Sequence, residues 1–221
     1  AGVGVCGPIV TLISSFAFLV GIGGSPLVSI RLGEGKVREA KKVVANCFVY
    51  LLALSVVVTV LAFVFRRPIL ITFGASEALY PYAESYFSIY LLGTVFALIA
   101  TGMNQFIITQ GFSKNGMLSV LIGAVTNIIL DPIFIFVLDM GVAGAAIATV
   151  ISQMISCVLV LRCLCRSESS YRLRFSELGM KGYYLKQIFS VGVPAGIQST
   201  VINFSNVLLQ SSVNSFGSTA M

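Results

Sequence analysis

Apolar runs of twenty or more residues alternate with short polar links along this chain. The runs cover roughly residues 8–30, 43–65, 85–110, 116–138, 140–161 and 190–221. Each is long enough to cross a hydrocarbon layer about 30 Å thick, which takes about 20 helical residues. The pattern predicts an all-α polytopic membrane protein with six transmembrane helices. Only the fourth run contains an ionisable side chain, Asp131.

The links set the orientation. Alternate links at 31–42, 111–116 and 162–187 hold twelve basic residues between them, whereas the opposite side holds only Arg66 and Arg67. Short basic links stay on the cytoplasmic side. A multi-pass protein of the cell (inner) membrane is therefore expected, with residues 31–42, 111–116 and 162–187 cytoplasmic and Glu77 and Asp139 outside. Within the longest link, "SELGMKGYYLKQIF" (176–189) mixes apolar and basic residues and reads as a helix lying in the inner interface.

Composition narrows the class further. Hydrophobic residues make up 57% of the chain and charged ones 10%, against about 25% charged in soluble domains. The formal net charge of +6 follows from the membrane-edge links and suits anionic lipid headgroups. It is spread too widely for nucleic acid. There is no histidine, so the usual general base and commonest metal ligand are missing. Cys6, Cys47, Cys157, Cys163 and Cys165 form no C-x-x-C pair, which argues against a zinc site or a disulfide framework. No resident cofactor is expected. "GVGVCG" (2–7) matches G-x-G-x-x-G by letter only, since no strand precedes it and no acidic residue follows at the required distance. The chain starts at Ala1 and stops at Met221 within an uncharged stretch, and reads as a piece of a longer protein.

Asp131 is the candidate chemistry. A charged Asp at the bilayer centre costs about 2.5–3.5 kcal/mol on insertion scales. It lies eight residues before Asp139 in the expected outer turn, hence about 12 Å deep. Asn127 is four residues earlier on the same helix face. Asp139–Gly141 turns the chain back, which brings Thr149 to a similar depth. The oxygens of Asn127, Asp131 and Thr149 suit a hard monovalent cation, or hydrogen bonds to a protonated acid. Pro132 removes one helical hydrogen bond and frees the Ile128 carbonyl, so a kink is expected there. The plainer alternative is that Asp131 caps a helix break and packs against Thr149.

"NIILDPIFIF…GVAGAAIATVISQ" (127–153) resembles the fifth and sixth helices of the multidrug and toxic compound extrusion (MATE) family. "LVSIRLGEGKVREAKKV" (27–43) and "MNQFIITQGFSKNGM" (103–117) resemble its loop after helix two and its fourth helix with the turn that follows. The resemblance implies helices two to seven of a twelve-helix, two-lobe bundle. Residues 1–161 would hold helices two to six of the first lobe, 162–189 the link between lobes, and 190–221 the first helix of the second lobe. Helix one and the remaining second-lobe helices would be partners from the same protein. The family's first-lobe cation site maps to Asn127, Asp131 and Thr149, with Na⁺ at Asp131 the one metal implied. Asn104 maps to a cavity-lining polar position. The implied activity is export of small organic, often cationic, compounds by antiport with H⁺ or Na⁺.

Other functions fit less well. A lipid-linked oligosaccharide flippase of the same superfamily should carry basic residues in its spans to meet a pyrophosphate, and these apolar runs have none. An intramembrane protease needs a histidine or a second membrane aspartate. A receptor or anchor should show a large soluble domain, which this chain lacks.

Overall fold

The computed structural model describes residues 2–73, 77, 79–166, 172–173, 179 and 182–215, with side chains placed from residue 6 up to residue 198. It is helical, with no strand among the described residues. In chain order the helices are α1 (Gly2–Gly33), α2 (Val37–Val64), α3 (Arg66–Thr72), α4 (Tyr80–Thr109), α5 (Ser113–Pro132), α6 (Gly141–Arg166) and α7 (Gly182–Ser215). A five-residue π-helical turn, Ile133–Val137, continues α5. Among the described residues, five helices are long and apolar enough to cross a membrane: Cys6–Gly33, Val37–Val64, Tyr80–Thr109, Ser113–Val137 and Gly141–Arg166. Residues 190–215 of the sixth expected span fall within α7, and residues 216–221 lie outside the described residues.

Two expectations are corrected. The last helix begins at Gly182 and not at residue 190. Of the expected interfacial helix (176–189), residues 182–189 form the first turns of α7, Gly179 is not helical, and residues 176–178, 180 and 181 lie outside the described residues. Hydropathy marks where a helix must be apolar, not where its backbone bonds begin. Lys186 and Gln187 therefore extend the helix past its apolar run. The short α3 was also unforeseen. Pro68 is its third residue, and in a first turn the missing proline N–H costs little.

Contacts between helices fix their directions. The Cys6 thiol reaches the Ala83 carbonyl at 3.6 Å, while Gly24 lies against Phe106, so α1 and α4 run parallel. Gly24 also lies against Cys47, and Thr59 donates to the Leu91 carbonyl at 3.4 Å, so α2 runs antiparallel to both. Ser156 donates to the Ser119 carbonyl at 3.1 Å, and Asn115 meets the Cys163 sulfur at 3.9 Å. These pairs make α5 and α6 an antiparallel hairpin. Links 34–36 and 110–112 and the end of α6 thus share one end of the bundle. Residues 65–73 and 138–140 share the other.

Helix α4 is the most enclosed, with Phe87, Leu91, Leu98, Met103 and Phe106 fully buried. Helix α5 is the least, burying only Gly116, Ser119 and Gly123. Its outward Ile, Leu and Val side chains suit lipid, where packing and not water exclusion holds helices together. At the basic end, Arg31 bonds Glu34 at 3.0 Å and Glu39 at 3.3 Å, and Lys36 meets Glu34 at 3.0 Å. Hydrogen bonds from Lys36 and Arg31 hold the Glu34 carboxyl below its ordinary range.

The turn before α6 is as tight as the sequence suggests, with Asp139 at φ 51° and Gly141 at φ 54°. Left-handed backbone costs a residue with a Cβ about 1–2 kcal/mol. Gly141→Ala is expected to destabilise the protein by about 1 kcal/mol. A thermal unfolding midpoint in detergent equal to wild type would contradict this.

Candidate cation site

The site starts on the last α-helical turns of α5. Asn127 and Asp131 are one turn apart, and the Asn127 amide donates to the Asp131 carboxylate, Nδ2 to Oδ1, at 3.2 Å. Both side chains are half-buried. Pro132 then supplies no N–H. The Ile133 N–H bonds the Leu130 carbonyl, and the Leu138 N–H bonds the Ile133 carbonyl five residues back at 3.0 Å. The helix thus opens into a wide π turn directly after Pro132. Such turns inside α-helices frequently mark functional positions.

Helix α6 supplies the facing wall. Thr149 is half-buried and donates its hydroxyl hydrogen to the Ala145 carbonyl at 2.9 Å. Its oxygen lone pairs remain acceptors. Ser152 donates to the Thr149 carbonyl at 2.7 Å. Asn127, Thr149, Thr101, Ser152 and Gln153 line one cavity of about 240 Å³, and no Lys or Arg among the described residues lines it. The structure therefore places Asn127 and Thr149 on one cavity wall, with Asp131 tied to that wall through Asn127. It shows no hydrogen bond between Thr149 and Asp131.

Tyr86 of α4 was not foreseen. Its phenol approaches the Thr149 hydroxyl and lies within electrostatic range of Asp131. Nothing in the sequence marks Tyr86 among eight tyrosines. Only the parallel packing of α4 on α6, two helices apart in the chain, brings it to this depth. The assembled donors are one carboxylate, one amide and two hydroxyl groups. Such oxygens bind H⁺ or a hard monovalent cation, and none is a soft ligand for a transition metal.

Asn104 lies elsewhere. It is buried, its Oδ1 has no hydrogen-bond partner, and that oxygen sits over Gly116. With Ile108, Lys114, Met117 and Leu121 it lines a second groove of about 700 Å³. Val120 and Ala124 of α5 border both spaces. Asn104 is therefore adjacent to the cation cavity but not part of its wall.

Comparison with known proteins gives the context of this geometry. The MatE family profile matches residues 1–133. The multidrug export protein MepA of Staphylococcus aureus (strain MRSA252) is 25% identical over 214 residues, covering 97% of this chain and 48% of that protein. MepA of Staphylococcus saprophyticus is 27% identical over the same length. The chain spans about half the length of these curated relatives. A crystal structure of a MATE in the bent conformation superposes with a TM-score of 0.86 at 25% identity, covering 98% of this chain and 48% of that one. A MOP superfamily transporter from Pyrococcus furiosus, described as having a binding pocket of reverse polarity that suggests a different function, superposes at 0.83 with 25% identity, covering 96% and 47%.

Proposed function

Because the chain belongs to the MatE family, we propose that it forms one half of a secondary transporter exporting small organic compounds in exchange for H⁺ or Na⁺. The observation that carries this reading is the Asn127–Asp131 pair at the α5–α6 hairpin, beside a cavity whose wall includes Thr149, Ser152 and Gln153. The protein's work is then translocation, not catalysis. Relatives named as multidrug export proteins support drug-like organic substrates for the whole transporter. Residues 1–161 act as helices of the first lobe, the segment after Arg166 as the link, and α7 as the opening helix of the second. Helix one and the remaining second-lobe helices complete the cavity.

Coupling follows from differential binding. A cation held by Asp131, Asn127 and Thr149 and a drug held in the lobe favour different conformations, so each biases release of the other. The wide turn after Pro132 gives α5 a place to bend between them. The test is drug efflux by the full-length protein in vesicles, with pH and Na⁺ gradients imposed separately. Efflux driven by one of them supports antiport. Efflux indifferent to both overturns it.

The second reading is a lipid-linked oligosaccharide flippase of the same superfamily. The cavity walls here favour export of organic compounds, because no basic side chain among the described residues lines the Asn127 cavity to meet a pyrophosphate.

Two expected results belong to this proposal. In a cysteine-free background, single cysteines at 36 and 172 should resist an impermeant thiol reagent added outside, while one at 77 should react. Labelling at 36 but not at 77 would reverse the orientation. Residues 1–221 alone should show no uphill export in vesicles, since the relatives are about twice as long. Measured uphill export by this half would refute the two-lobe reading.

A further inference from the structure

At the basic end of the bundle a cavity of about 660 Å³ opens between the α4–α5 turn and the end of α6. Arg162 and Arg166 stand on its rim, one helical turn apart on the same face. Both are exposed, and neither forms an ion pair among the described residues. Gln110 of the turn faces the same space, and its Nε2 is buried with no hydrogen-bond partner. Asn115 adds a second amide, whose N–H meets only the Cys163 sulfur at 3.9 Å, a weak acceptor. One end of the cavity therefore offers hydrogen-bond donors in excess.

The rest of the lining is apolar. Leu118 and Ile122 of α5 and Leu159 of α6 continue from the donors toward the middle of the membrane. From Asn115 to Ile122 the wall rises about 10 Å. A free phosphate would use the guanidiniums and leave this wall exposed. A neutral lipid tail would use the wall and leave the donors unpaired.

We propose that this cavity is a binding site for an anionic phospholipid of the leaflet on the basic side. Its phosphate lies between Arg162, Arg166 and the Gln110 and Asn115 amides, and one acyl chain lies along Leu118, Ile122 and Leu159. Guanidinium groups pair well with phosphate oxygens, and basic pockets between membrane helices hold anionic headgroups. The bound lipid ties the α4–α5 turn to the end of α6. The proposal does not depend on what the protein exports.

The test uses the purified, delipidated full-length protein in detergent. Phosphatidylglycerol, phosphatidylcholine of equal chain length, or inorganic phosphate is added. The thermal unfolding midpoint is recorded, and retained lipid is measured by native mass spectrometry. Phosphatidylglycerol should raise the midpoint and stay bound, while the other two should do neither. Arg162→Gln/Arg166→Gln should start from the same midpoint and bind phosphatidylglycerol about tenfold more weakly or worse. Leu118→Trp, which fills the acyl groove and keeps both charges, should lose the same binding, and it decides the matter should the double variant misfold. Arg67→Gln, at the opposite end of the bundle, should behave as wild type. Equal stabilisation by inorganic phosphate would make this a simple anion site. Equal binding of the two lipids, or undiminished binding by both cavity variants, would also overturn the proposal.

Discussion

Asp131→Asn is expected to abolish gradient-driven export by the intact transporter while leaving the protein inserted and folded. The substitution keeps shape and hydrogen-bonding capacity but removes the one carboxylate in the five apolar spans' membrane interior. A cation site of neutral oxygens alone has no charge to balance H⁺ or Na⁺. Removing a charge from the membrane relieves an insertion cost of about 2.5–3.5 kcal/mol, so protein levels should not fall on that account. Asn127 already bonds one carboxylate oxygen at 3.2 Å, and Asn127→Ala deletes that contact without removing the charge. Its expected effect is milder, roughly tenfold in the driving ion's apparent affinity, as for one hydrogen bond to a charged group. Thr149→Ala and Tyr86→Phe should fall in the same range. A structural cap at Asp131 predicts the opposite: near-isosteric Asn would keep transport, and any damage would follow lost stability. Efflux and thermal stability measured on the same purified variants separate the two. Normal export by Asp131→Asn at wild-type protein level would sink the cation-site reading.

What the sequence revealed about this site was what lies close along the chain. The one-turn spacing of Asn127 and Asp131 and the turn at Asp139–Gly141 needed only helical geometry, and both occur in the structure. Thr149 was reachable because α5 and α6 are joined by that turn, so depth could be counted in both directions. Tyr86 was not reachable this way. Its depth depends on α4 packing beside α6, a non-local contact that no spacing encodes. The effect of Pro132 was half legible. The lost hydrogen bond is certain from the residue type, but the protein absorbs it by widening the next turn, a choice made by backbone bonds further along. The start of α7 was misplaced for a related reason, because polar residues limit the apolar run without ending the helix.

The close approach of α7 to α1 carries the other large effect. The structure divides the glycines of "GIGGSP" (21–26) among three neighbouring helices. Gly21 meets the Gly102 carbonyl on α4, Gly24 meets Cys47 on α2 and Phe106 on α4, and Gly23 meets α7. At Gly23 the obstacle to any side chain is backbone: the Ile188 carbonyl and the main chain of Gly192. Gly192 in turn faces the Leu19 carbonyl. Neither helix can move a rotamer aside, so a Cβ here must push the two axes apart. Gly24→Ala meets the Cys47 sulfur and the tip of the Phe106 ring instead, which can shift. Gly23→Ala should therefore cost more than Gly24→Ala, with about 1–3 kcal/mol expected for such overpacking. Gly23→Leu should detach α7 from α1. In the proposed two-lobe transporter α7 opens the second lobe, so the same change should eliminate export as well as lower the unfolding midpoint. Gly33→Leu is the control, because nothing lies within 4 Å of a Cβ added there. If Gly23→Leu retained both the wild-type midpoint and wild-type efflux, α7 would not cross α1 at this point in the working protein.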